Sequence, residues 1–403
     1  MNLKLSAEEA AFEAEVTQFV ERHWHPDTGR TQGLASELDG QAWTPALKAW
    51  FAALVEAGWS VPHWPQHRGG TGWDPTHHFL FQRVLVAAGA PSPVNLATGV
   101  LGPLFLNELP SSALQTWIEQ IRAFKARWSV AAAEPVAAEP LDGVHPPQPI
   151  TSAAKTSSGF VINGEKTWVT GGLHADYLLC LSHLDEEGQS AWFVVPTNLR
   201  GVTREAIPMM GSRHALARIV LLQVEVDGSA RLATNPEAGL PTAPLRLRGP
   251  SLRRALLSIR DTAVQFEDAA LRTETDMLSV QADAVEALEH RATFGDPIAA
   301  SALRLVLAIK GAELGQAVSG LRARSMGYHA VPFPDDPRLS NEGVFGDEVA
   351  LPAVRQALFD RAFSLYAAES PGQGTSIEAL KDRMVREILG TNVLDDKLIT
   401  QRL

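Results

Sequence analysis

Trp168 and Thr170 are the residues whose types and spacing are best suited to chemistry. They sit two apart in the run GFVINGEKTWVTGGLHADYLLC, Gly159 to Cys180. Phe160 and Ile162 alternate as on a strand, a turn is expected at Gly164, and a second apolar strand follows the paired glycines Gly171 and Gly172. Residues i and i+2 of a strand share a face. A short β-hairpin of this sequence would present one aromatic ring and one hydroxyl to a flat ligand. The plainer reading of the same residues is an ordinary hairpin with Trp168 in its core. His63 and His67 stand four apart in the HWPQHRGG loop, without a helix to align them or a nearby third ligand, so no metal is expected.

Bulk properties set the frame for these groups. A chain of 403 residues is long for one core and suggests two or three domains. Hydrophobic content of 45% and charged content of 20% are ordinary for a globular protein. A net charge of −11 without a basic run argues against nucleic acid and anionic membranes as partners. Cys180 is the single cysteine, which excludes an intrachain disulfide and suits a reducing cytoplasm. The start, MNLKLSAEEAAFEAEV, lacks the apolar run of a signal peptide. No stretch approaches the ~18 apolar residues that span a bilayer.

Three regions follow from the patterning. Residues 1–122 read as helices. Ser6 and Glu9 form a capping box before the stripe Phe12, Val16, Phe19 and Val20, and ALKAWFAALVEAGW is a second helix stopping at Gly58. The loop GWSVPHWPQHRGGTGW, dense in Gly, Pro and Trp, closes that pair. Residues 123–240 are short β-rich runs separated by turn residues, as in an antiparallel barrel or sandwich. Residues 241–403 return to helical periods, interrupted by a Pro-, Asp- and Gly-rich loop at 332–352. The expected class is α+β: an N-terminal helical domain, a middle antiparallel β-barrel or sandwich, and a C-terminal helical bundle.

That domain order and four motifs resemble the acyl-CoA dehydrogenase family over nearly the whole chain. KTWVTGG is similar to its middle-domain motif. The loop from Gly58 is similar to G-W-x-x-P-x-W-P-x-x-x-G-G-x-G of the bacterial branch acting on bulky acyl groups. IKGAELGQ, Ile309 to Gln316, resembles that branch's I-K-G-T-E-x-x-Q helix, and GTSIEALKDRMVREILG, Gly374 to Gly390, resembles its terminal helix with one residue inserted. The resemblance implies FAD, with Trp168 beside the isoalloxazine ring and Thr170 near flavin N5. It implies that Ala133 and Glu134 lie on the strand at the pyrimidine side. Gly327 and Tyr328, in SMGYHAVPFP, would line the adenine end of a partner subunit's FAD; a helix C-cap before a Pro-terminated loop is the plainer alternative. It also implies an acyl-CoA substrate and an electron-transfer flavoprotein as partner. The long apolar helix LVLAIKGAELGQAV would be buried between subunits of an obligate oligomer.

Family chemistry removes the α-proton of the acyl group with a carboxylate and the β-hydrogen as hydride to the flavin. The carboxylate must work in a dry pocket, and the thioester carbonyl needs donors to stabilise enolate-like charge. The family's Glu is expected at one of two places, and neither offers one here. Gln373 stands before Gly374–Thr375, while a rival alignment on ILGTN puts Leu389 beside Gly390. On the helix alternative, no Asp or Glu occurs between Glu237 and Asp261, and Glu267 and Asp268 read as a solvated face. The strand AAEPVAAEPLDG puts Ala133 where the family has a hydroxyl, keeps Glu134 and Pro135, and lacks the Gly-Ser-Asp that follows. RATFG (Arg291, Phe294, Gly295) imitates the family's R-x-Q-F-G turn but reads as a chance match at the end of a later helix.

The expectation is a subunit without a catalytic base, paired with a homologous catalytic subunit in a cytoplasmic heterotetramer acting on a bulky, steroid-derived acyl-CoA. A self-sufficient homotetramer would need its base at Glu134, Glu267 or Asp268. A DNA-associated relative without enzymatic activity is disfavoured by the net charge of −11.

Overall fold

Ser6 opens the first helix as its sequence requires. Its hydroxyl accepts from Glu9 N at 3.2 Å, while the Glu9 carboxylate accepts from Ser6 N at 2.6 Å, so two orphan donors are satisfied reciprocally. The structure is a computed structural model that describes residues 5–25, 43–108, 111–135, 150–185, 187–209, 212–241, 243–295, 297–327, 354, 357–358 and 377–389. The described residues up to Pro244 form one compact unit and those from Leu245 onward another.

The first unit begins with helices α1 (Ala7–His23), α2 (Pro45–Glu56), α3 (Pro75–Ala88), α4 (Gly102–Leu106) and α5 (Ser112–Arg122). Val16, Trp50, Phe51, Leu54, Phe81 and Leu85 pack the first three of these into an aromatic-rich core. The loop of residues 58–73 is ordered by its side chains: His63 Nε2 and Trp64 Nε1 both donate to Thr98 O, at 2.9 and 2.8 Å. Strands β1 (Trp128–Ala131), β2 (Ser152–Lys155), β3 (Gly159–Thr170), β4 (Tyr177–Leu184), β5 (Gln189–Pro196), β6 (Val202–Met209) and β7 (Ser212–Asp227) then form a single sheet. Alternate residues of the central strands serve two cores. Leu178, Cys180 and Phe193 point into the sheet's own interior, while Leu179, Trp192 and Val194 pack against Val100, Phe105 and Trp117 of the helical layer.

Two expectations about the sheet are corrected. It is mixed, because β1 and β2 both run parallel to β4, with the remaining pairs antiparallel. The Gly159–Cys180 run is also not a hairpin. β3 continues without a turn through Gly164, where φ is +151° and the register slips by a residue. A Cβ at Gly164 would lie 2.6 Å from Thr151 Cα, so glycine is required there by a close approach and a bulge. β4 does not pair with β3; β3 lies between β2 and β7.

The second unit is a helical bundle of α6 (Gly249–Gln265), α7 (Ala269–Phe294), α8 (Pro297–Ser325) and α9 (Ile377–Leu389). Its α8 contains the run expected to lie between subunits. Instead Leu307, Leu314, Val318 and Leu321 pack against α6 and α7, and Leu305, Ile309 and Ala312 pack against Ile377 and Leu380 of α9. The helix is apolar on two faces because it is central within its own bundle. Among the described residues, no helix is long and apolar enough to cross a membrane.

Candidate functional site

One edge of β3 brings four of the expected site residues together. Trp168 occupies a β-bulge: the pairing with β7 shifts between Lys166 and Val169, so β3 carries one extra residue there. Its φ is +55°, and it is 46% exposed, whereas Val169 beside it is buried. A bulky non-glycine residue held in that region stores on the order of 1–3 kcal/mol, and such strain clusters at functional sites. Thr170 is half-buried, and its carbonyl accepts from the buried Ser129 hydroxyl of β1 at 2.9 Å. An exposed indole with a hydroxyl-bearing residue two positions on is thus present, without the hairpin proposed to carry it.

Ala133 and Glu134, just beyond β1, run beside this bulge. The Ala133 carbonyl accepts from Thr167 N at 2.9 Å. Glu134 does not face an open site. Its carboxylate, 6% exposed, accepts from the Lys166 ammonium at 2.6 Å, from Ile150 N at 2.5 Å and from Thr151 N at 2.9 Å. Lys166 is fully buried and also donates to Ala132 O at 3.4 Å. Burial pushes the Glu134 carboxyl up, but the Lys166 ammonium and the Thr151 N–H reverse this and leave it below its ordinary value. A carboxylate so occupied is structural and makes a poor proton acceptor.

The other expected positions lie apart from this edge in sequence and role. Asp268 is the N-cap of α7, accepting from Leu271 N at 2.9 Å, and Glu267 is an exposed turn residue at φ +53° joining α6 to α7. The pair therefore forms an inter-helix turn in place of the expected helix face. Gly327 follows α8 with φ +54°, the geometry that ends a helix. Leu389 is the last residue of α9, and Tyr328 and Gln373 lie outside the described residues. Arg291 O accepts from Gly295 N where α7 closes, so RATFG is a helix terminus. His63 is held neutral, burial pushing it down to about 4.

Sequence reasoning missed Lys166, Ser129 and Glu289. A lysine within an otherwise apolar-alternating strand was the available signal for Lys166. Glu289 of α7 is 1% exposed and accepts from Arg248 N and Gly249 N at the start of α6. Desolvation lifts it from 4.5 to about 7.

Comparison with known proteins agrees with this architecture. Residues 6–117 match the acyl-CoA dehydrogenase N-terminal domain and residues 135–224 the acyl-CoA dehydrogenase middle domain. The chain is 26% identical to acyl-CoA dehydrogenase IpdE1 of Mycobacterium tuberculosis over 160 residues, which is 38% of this chain and only 40% of that protein. It is 25% identical to the probable acyl-CoA dehydrogenase YngJ of Bacillus subtilis over the full length of both. Among solved structures, the Tcur3481-Tcur3483 steroid ACAD matches with a TM-score of 0.71 at 18% identity, covering 97% of this chain and 99% of that one. The ChsE4-ChsE5 complex of Mycobacterium tuberculosis matches with a TM-score of 0.70 at 16% identity, with the same coverage. The chain belongs to the acyl-CoA dehydrogenase family, whose members are FAD-binding oxidoreductases.

Proposed function

We propose that this chain is the partner subunit, without a catalytic base, of a heteromeric FAD-dependent acyl-CoA dehydrogenase acting on a bulky, steroid-derived acyl-CoA. The observation that carries the reading is the state of Glu134. This carboxylate lies alongside the strand of Trp168 and Thr170, and it is committed to Lys166 and two backbone N–H groups. General-base catalysis contributes about 10²–10⁴-fold and needs a free acceptor within hydrogen-bond reach of the proton. Glu267 in an exposed turn and Asp268 capping a helix do not supply one. A homologous subunit then supplies the carboxylate.

The residues present still suit a flavin. A half-exposed indole held in a strained conformation offers a flat face, and Thr170 stands two residues on. Ala133 lacks the hydroxyl that the family places at the pyrimidine side, so this chain would hold the ring with one polar contact fewer. When bound, FAD would supply the hydride acceptor, with an electron-transfer flavoprotein as the onward electron carrier. The names of the two structural neighbours, a steroid ACAD and a two-protein complex, support the substrate class and the heteromeric assembly.

Expression alone and together with a homologous subunit tests this. The co-expressed assembly is expected to be yellow and to reduce an artificial acceptor with steroid acyl-CoA, while the chain alone turns over nothing. Turnover by the purified chain alone would show that it carries its own base and overturn the proposal.

A further inference from the structure

β1 and β2 are short strands that share one edge of β4. β5 pairs with β4 along its full length, Tyr177 to Leu184, so β1 (opposite Tyr177–Cys180) and β2 (opposite His183–Leu184) must both lie on the other edge. Between the two, Leu181 and Ser182 have no strand partner on that side. The ladder is broken there, and peptide groups that a continuous strand would satisfy need other partners. The Lys166–Glu134 pair supplies them. Glu134 takes the N–H groups of Ile150 and Thr151, and Lys166 donates to Ala132 O. β3 closes on the same point from the other side, with Gly164 pressed against Thr151.

The bulge that re-aims Trp168 begins at this junction. Lys166 is its last residue in register with β7. Thr167 N turns to Ala133 O, and beyond the bulge Ser129 ties down Thr170 O. A strained backbone persists only where its surroundings over-determine it. Stability alone does not call for a buried ion pair, since apolar replacement of both partners is often neutral. We infer that the buried Lys166–Glu134 pair is a positioning element: it fills the gap between β1 and β2, fixes the bulge, and so sets the angle at which Trp168 meets the flavin. This rests on the proposed reading of Trp168 as the flavin-facing aromatic.

The test uses the flavin-loaded assembly. Lys166→Met/Glu134→Gln removes both charges and keeps an acceptor for one of the two N–H groups, which bond different oxygens of Glu134. It is expected to fold with a lowered melting midpoint, to bind FAD roughly tenfold or more weakly, and to shift the flavin absorption band. Subtracting the emission of the matching Trp168→Phe forms isolates the fluorescence of Trp168, which is expected to move as well. Glu134→Asp, which shortens one partner and keeps the charges, is expected to weaken FAD severalfold and serves should the double variant not fold. Trp168→Ala separates the two layers of the argument. If it leaves flavin affinity and spectrum unchanged, or if no assembly of this chain binds FAD, the flavin-facing reading fails and the inference with it. If Trp168→Ala perturbs the flavin while the folded pair variants leave affinity, band and Trp168 emission at parental values, the reading stands and the positioning role is overturned.

Discussion

Glu134 in the sheet and Glu289 in the helical bundle are both withdrawn from water, and each accepts hydrogen bonds from two backbone N–H groups. What differs is the neighbouring charge. Lys166 stands 2.6 Å from Glu134, whereas the first charge acting on Glu289 is the like charge of Glu286. The first carboxyl is held below its ordinary value and the second is lifted to about 7. Burial alone makes a carboxylate more basic, and one opposite charge in contact reverses that. A buried glutamate beside a candidate site is therefore not a base by virtue of burial. Glu289 has the raised basicity, but its oxygens cap α6 and face no open space.

The largest effect should come from breaking the pair on one side. Glu134→Leu leaves the Lys166 ammonium buried without its counter-charge, an arrangement that costs about 3–5 kcal/mol. Lys166→Met/Glu134→Gln leaves no buried charge but one N–H without its acceptor, so it should cost less, about 1–3 kcal/mol. Urea unfolding of both variants measures the difference. If Glu134→Leu were no worse than the double variant, the two charges would not be coupled and the contrast with Glu289 would dissolve.

The two glutamates should also pull the pH dependence of stability in opposite directions. Glu289 has a folded-state value raised from 4.5 to about 7, so its favourable contribution is complete below about 4.5 and is lost as pH rises through 7. A shift of that size corresponds to roughly 3 kcal/mol at most. Glu134 is depressed, so its contribution is present above its unfolded value and is lost as pH falls through the folded one. Glu289→Gln keeps an acceptor for Arg248 N and Gly249 N and should flatten the stability profile between about pH 5 and 8, leaving the acid limb in place. An unchanged slope over that range would mean that Glu289 is not the group titrating there.

What was legible in the sequence follows the same division between local and distant causes. The order of helical, β and helical regions was readable because periods of 3.6 and 2 are local. The Ser6–Glu9 box formed as read for the same reason. Gly164 misled because a turn and a bulge both call on glycine, and Thr151, the residue that decides between them, comes from another strand. The apolar run of α8 suggests a subunit face because a sequence does not reveal which faces its own chain covers. At the candidate site, Trp168 and Thr170 stand out by type and spacing, while the bulge that exposes Trp168 is not legible there. Lys166 does not stand out, since its partner Glu134 is 32 residues away and is drawn in by the break between β1 and β2. Glu289 was invisible because the N-terminus it caps lies 40 residues earlier.

The smallest prediction sharpens a second contrast between the units, between Trp168 and Glu267, two non-glycine residues at almost the same left-handed φ, +55° and +53°. Trp168 is held there by bonds on both sides of its bulge. Glu267 sits in an exposed turn just after α6, where glycine is the residue that ends helices without strain. Relief of that strain is worth about 1–2 kcal/mol, and the extra freedom of glycine in the unfolded chain takes back about 0.4–1. Glu267→Gly should therefore raise stability by about 0.5–1 kcal/mol, read as a small rise in the melting midpoint, and leave turnover of the assembly unchanged. A loss of turnover beyond about tenfold, with folding and FAD content intact, would show that the turn carboxylate takes part in proton abstraction and that this chain supplies its own base.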